Sequence, residues 1–131
     1  MLKRLFVFQA LVDVLYGIPL ILATGTLLSI YGLSTDGTGT YIAQFLGGAF
    51  LALAWISWSA RDLPDGDIQR AIVRASLVGA AVGFVASLVF LLGPNATTMV
   101  WLNIALTGIL VAGWGYLSYA TMRPMTRPQP A

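Results

Sequence analysis

The 131-residue chain contains no cysteine and no histidine, and only 9% of its residues are charged. Without cysteine there can be no disulfide, no thiolate metal site and no thiol nucleophile. Without histidine the commonest metal ligand and the commonest acid–base group are missing, as is the usual axial ligand for haem or chlorophyll. Five acidic residues remain, and all but Asp13 lie in polar segments between apolar runs. These absences argue against an enzyme, so no catalytic residue, no metal site and no cofactor is expected. Soluble domains carry about a quarter charged residues. A chain that is 58% hydrophobic and this poor in charge cannot cover a globular surface with polar groups. The seven Lys and Arg fall at the ends of apolar runs and in one loop. That pattern offers no nucleic-acid surface and makes membrane lipids the first expected partners.

What the chain does have is apolar length. A run of ~20 residues at ~1.5 Å each crosses a ~30 Å hydrocarbon core. Four such runs are present, predicting helices over about 5–30, 41–59, 68–92 and 98–119. The first run is longer than the apolar region of a secretory leader and is interrupted by Asp13, so it reads as an uncleaved helix. Pro19 lacks an N–H and its ring opposes the carbonyl of Leu15, which predicts a kink near Gly17–Pro19. Turn-forming segments separate the runs: YGLSTDGTGT at 31–40, ARDLPDGDIQR at 60–70 and Gly93-Pro94-Asn95. Asp67 is a candidate cap for the third helix, and Thr97 or Thr98 for the fourth. The expected fold class is therefore all-α, an up-down bundle of four transmembrane helices over residues 1–122. The Pro-rich segment 123–131 is expected to be a disordered cytoplasmic tail.

The charges set a direction. Lys3, Arg4, Arg61, Arg70, Arg74, Arg123 and Arg127 fall on one side of a four-helix threading, and the 31–40 and 93–98 loops carry none. The positive-inside rule then predicts both ends of the chain and the 60–70 loop in the cytoplasm of a multi-pass bacterial inner-membrane protein. Tyr31, Tyr41 and Trp101 would lie near the outer interface. Phe6, Phe8, Trp55, Trp58, Trp114, Tyr116 and Tyr119 would lie toward the inner one, where amphipathic rings anchor helices.

Candidate functional residues are the polar ones inside apolar runs. Gln9, Asp13 and Tyr16 share one helical face with Gly17 and are expected to point into the bundle. A carboxylate in lipid is costly and seeks a partner, and Arg74, near the start of the third predicted helix, is the candidate for an intramembrane ion pair with Asp13. Gln44, Asn103 and Thr107 lie at similar depth and, with Gln9 and Tyr16, outline a possible polar pocket. Gly47 and Gly48 in the second run, and Gly79 and Gly83 in a G-x-x-x-G of the third, are expected to let helices approach closely, within one chain or between copies.

Several segments carry a resemblance: LYGIPLILA (15–23) followed by YGL (31–33), FLGGAFLALAWISW (45–58) and DIQRAIVRASLVG (67–79). Together these resemble small, uncharacterised bacterial four-helix integral membrane proteins. The resemblance implies a four-helix fold and carries over no functional residue. The position of Asp13 inside helix 1, with Trp55 in the membrane, is similar to the arrangement in small multidrug resistance transporters. The chain departs from them in its Asp in place of Glu, its strong orientation bias and its charged 60–70 loop. The expected function is that of a non-enzymatic accessory or structural subunit, in a homo-oligomer or with other membrane protein subunits. The alternative is a small proton- or cation-coupled transporter using Asp13.

Overall fold

The computed structural model describes residues 2–64, 66–94 and 97–122, with side chains as far as residue 120. The expected tail at 123–131 and the turn residue Asp65 lie outside the described residues. Five helices follow one another: α1 (Leu2–Leu22), α2 (Thr24–Ile30), α3 (Gly37–Ala60), α4 (Asp67–Leu91) and α5 (Met99–Met122). Among the described residues there is no strand. Four of the helices, α1, α3, α4 and α5, are long and apolar enough to cross a membrane.

The first apolar run is two helices, not one. Pro19 sits inside α1, and the helical path breaks at Ala23, four residues later, where φ is −142° and ψ is 44°. A break inside an apolar layer frees carbonyls that lipid cannot satisfy, and here each of three finds a donor. The Pro19 carbonyl accepts from the Ala23 N–H at 2.9 Å. The Leu20 carbonyl accepts from the Thr24 hydroxyl. The Ile21 carbonyl accepts from the side-chain amide of Gln44 on α3, at 3.3 Å. Gln44 therefore serves the backbone of the first hairpin. At the far end of α2, Gly32 takes φ +70° while its N–H bonds to Ser29 and that of Leu33 to Leu28. This double closure is a Schellman turn, which needs a residue free to adopt positive φ, and it leaves Tyr31 at the helix end facing inward.

Helix starts also differ from the limits of the apolar runs. α3 begins at Gly37 because the Asp36 carboxylate accepts from the Gly39 N–H at 2.7 Å, organising the Gly-Thr-Gly-Thr segment into a first turn. At α4 the cap position belongs to Gly66, so Asp67 lies inside the first turn and is not the cap. A carboxylate there still favours the helix, because it faces the positive end of the macrodipole.

The helices pair as two antiparallel hairpins, α1 with α3 and α4 with α5. The first pairing depends on glycine at the crossing. A Cβ on Gly47 would come within 2.8 Å of the Gly17 carbonyl, and one on Gly17 within 3.0 Å of the Gly47 carbonyl. The backbones touch, as small residues at a helix crossing allow. The hairpins meet near the start of α1, where Phe6 and Trp114 pack with rings tilted by 58° and centroids 4.8 Å apart, in a cluster with Ala60, Val73, Ala80, Leu110 and Leu117. Trp114, expected at the interface, is wholly buried (0% exposed). Glycine explains it: Gly113 lets Leu5 of α1 approach to within 2.9 Å of where a Cβ would stand, so α1 closes over the indole. Away from this core α3 and α4 scarcely touch, and a cleft opens between the hairpins.

Candidate functional site

The cleft has a volume of about 740 Å³ and is lined from all five helices. α1 and α5 form its back, with Gln9, Asp13, Tyr16, Asn103, Thr107 and Leu110 facing it. α3 supplies an apolar wall of Leu46, Phe50, Leu53 and Ile56. α4 supplies a wall of small residues, Ala71, Ala75, Gly79, Gly83 and Ser87, at four-residue spacing. The lining residues of α1 and α5 are buried or half-buried, whereas Leu46, Leu53, Ala71, Ala75 and Gly79 are exposed. The opening therefore lies between α3 and α4.

Two polar clusters tie the hairpins together across the back of the cleft. In the first, the Trp114 Nε1–H donates to Gln9 Oε1 at 2.9 Å, and Gln9 Nε2 donates to both carboxylate oxygens of Asp13 at 3.3 and 3.2 Å. Gln9 and Asp13 meet because they are one turn apart on α1. The indole fixes which way the amide points, since it can only donate and so must face the amide oxygen. Asp13 itself is 2% exposed and lies ~16 Å along α1 from its first residue, near the middle of the helix.

In the second cluster, Asn103 Oδ1 on α5 accepts from two phenols. Tyr31 at the end of α2 donates at 2.9 Å, and Tyr16 donates from α1. The two hydroxyls stand 3.0 Å apart, close enough for either to donate to the other instead. Tyr16 lies one turn beyond Asp13 on the same face, so both clusters border one space. The hydroxyls nearby are occupied locally: Thr107 bonds back to the Asn103 carbonyl at 2.6 Å and Ser87 to that of Gly83 at 2.8 Å. That pattern is the ordinary one for hydroxyls within helices.

The structure brings together some of the expected site residues and separates others. Of the expected polar-pocket residues, Gln9, Tyr16, Asn103 and Thr107 line the cleft and Gln44 does not. The Asp13–Arg74 pair is not formed: among the described residues Asp13 has no basic group within ion-pair distance. The cause is the pairing of helices. α1 packs on α3 and touches α5, α4 packs on α5, and the cleft stands between α1 and α4. Arg74 lies only ~10 Å along α4, and its side chain is exposed. Of the four packing glycines, Gly47 sits at a helix crossing and Gly83 faces the Thr107 methyl, at 3.4 Å from a Cβ. Gly48 and Gly79 have nothing within 4 Å of a Cβ.

Tyr31 lines the cleft and Trp114 reaches the site through Gln9, although the sequence pattern points to both only as interface anchors. For Trp114 a signal exists in its flanking Gly113 and Gly115, which announce close helix approach. For Tyr31 there is none, because its position depends on the break at Ala23 and the turn at Gly32.

The loop after α3 carries a small charged cluster. Asp62 accepts from Lys3 Nζ and from Arg61 Nε, both at 3.0 Å, and Arg61 lies 3.4 Å from the Trp58 ring centroid. The Arg61 and Lys3 hydrogen bonds hold the Asp62 carboxyl below the usual carboxylate range. The cluster links the start of α1 to the end of α3.

The cleft holds no nucleophile set against a base, and among the described residues no three acidic side chains gather to hold a metal. The cleft combines a large apolar surface, one carboxylate and two hydrogen-bonded clusters. No family model, curated protein or solved structure matches the chain.

Proposed function

We propose that the chain is a non-enzymatic accessory subunit of the bacterial inner membrane, working in a homo-oligomer or a larger membrane complex, and that its contribution is the cleft between its hairpins. The carrying observation is the cleft itself, about 740 Å³ of mostly apolar space that opens between α3 and α4, toward the bilayer in this reading. The charge pattern supports an orientation with the start of α1, the α3–α4 loop and the end of α5 in the cytoplasm. Lys3, Arg4, Arg61, Arg70 and Arg74 all lie toward that end. Assembly is tested by placing photo-crosslinking side chains at Phe45 and Val82, which face outward at 75% and 63% exposure. Crosslinks to a second copy or to another membrane protein are expected. A monomer in mild detergent with no crosslinked partner in cells overturns the subunit reading.

A second reading, a small proton- or cation-coupled transporter, is favoured by one observation: Asp13 sits mid-helix on the cleft with an amide and, among the described residues, no basic group against it. Flux into proteoliposomes that survives Asp13→Asn would exclude it.

A further inference from the structure

The cleft has a polarity that its volume alone does not convey. Its walls on α3 and α4 are mostly apolar and carry no charge, their polar groups being the hydroxyls of Ser57, Ser76 and Ser87. The polar groups at its back are spent unequally. The Thr107 and Ser87 hydroxyls bond to their own helices, and Asn103 Oδ1 takes two phenol protons. Asp13 is different. A carboxylate has about four acceptor sites, and the Gln9 amide approaches both of its oxygens only at the long end of hydrogen-bond range, 3.3 and 3.2 Å. Gln9 has in turn committed its oxygen to Trp114, so it cannot turn away from Asp13 without leaving the indole unpaired. Asp13 is thus presented to the cleft as a fixed acceptor with capacity left over.

We propose that the cleft is a binding site for a hydrophobic molecule with a single cationic head, which enters between α3 and α4 and places that head on Asp13. This rests on the cleft being the working part of the protein. Depth selects the source of the ligand. Asp13 lies ~16 Å from the start of α1, near the middle of the span. A phospholipid amine is tied to an ionised phosphodiester that stays at the membrane surface, whereas a free hydrophobic amine can shed its proton, enter as the neutral base and take a proton again at Asp13. An anionic head is excluded by repulsion from the carboxylate, and a neutral one forgoes the charge-assisted bond.

The test is equilibrium binding to the full chain in a mild detergent, read by native mass spectrometry, with three probes of equal chain length: dodecylammonium, dodecanol and dodecanoate. Two variants accompany the wild type. Asp13→Asn keeps the shape and the Gln9 contact while removing the charge. Gly79→Phe fills the opening from a position where a Cβ meets nothing within 4 Å. Dodecylammonium is expected to bind roughly tenfold or more tighter than dodecanol, the order of one hydrogen bond to a charged group. Dodecanoate is expected to bind weakest. Asp13→Asn brings the amine and the alcohol to within about twofold of each other, and Gly79→Phe weakens both. Added phosphatidylethanolamine leaves dodecylammonium in place; displacement by that lipid overturns the depth argument. Equal binding of amine and alcohol to the wild type, both lost in Gly79→Phe, overturns the assignment to Asp13 while leaving the cleft as a site. No binding by any probe, or binding that Gly79→Phe does not affect, overturns the cleft itself.

Discussion

Gly47 and Gly48 are adjacent in sequence, and the structure assigns them opposite sensitivities. Replacing either by alanine adds one methyl group and the same helix-propensity gain, ~1 kcal/mol. At Gly48 nothing lies within 4 Å of the new Cβ, so the gain stands alone. At Gly47 the Cβ would come within 2.8 Å of the Gly17 carbonyl oxygen, 2.8 Å of Ile21 Cγ1 and 2.9 Å of Leu20 Cβ. The Gly17 oxygen and the Leu20 Cβ are fixed to the α1 backbone and cannot rotate away, so α1 and α3 must separate. Overpacking of this kind costs about 1–3 kcal/mol. Gly48→Ala is therefore expected to leave stability unchanged or raise it by up to ~1 kcal/mol. Gly47→Ala is expected to fall below it by about 1–3 kcal/mol. Because the propensity gain is common to both, the difference between the two variants isolates the crossing. Reversible unfolding in mixed micelles, driven by sodium dodecyl sulfate and followed by tryptophan fluorescence, measures that difference. Two variants equal to within ~0.5 kcal/mol, the usual error of comparing sites, would refute the α1–α3 crossing described here.

Asn103→Leu removes the acceptor shared by Tyr16 and Tyr31 and is expected to cost about 1–2 kcal/mol in the same unfolding measurement, near the upper end for polar contacts between membrane helices. Thr107→Val, which breaks only a bond within α5, is expected to cost less, and the reverse order would contradict the role given to Asn103. At the charged loop, a depressed folded-state pKa at Asp62 means that its contribution is complete above the ordinary aspartate value, ~3.9, and is lost as pH falls through the lower folded value. The Asp62 carboxyl resonance is therefore expected to titrate below ~3.9 in the wild type and to move upward in Lys3→Met. An unchanged midpoint in that variant would show that Lys3 does not hold it.

Much of the fold is legible in the chain because apolar length and charge absence are local properties. Four runs of sufficient length announce four long helices, and the turn residues between them fix their order. The polar face of α1 is equally legible, since Gln9, Asp13 and Tyr16 recur at the helical period. The break falls at Ala23, beyond the kink expected near Gly17–Pro19, because it depends on donors for the freed carbonyls: the neighbouring Thr24 hydroxyl and, from α3, the Gln44 amide. Gln44 reads as a pocket residue for the same reason, as its depth is legible in the sequence and its target, the Ile21 carbonyl, is not.

The sequence by itself determined that this is an all-helical chain with four membrane-length segments and one carboxylate in mid-helix, because those features follow from composition and spacing. The tertiary structure decided who faces whom. Pairing α1 with α3 through touching glycine backbones, and α4 with α5, leaves α1 and α4 on opposite sides of a cleft. That choice of partners takes Arg74 away from Asp13, turns Trp114 inward onto Gln9 and presents the carboxylate to the cleft. Helical period fixes the face a residue occupies; only the packing of one helix against another fixes what lies opposite it.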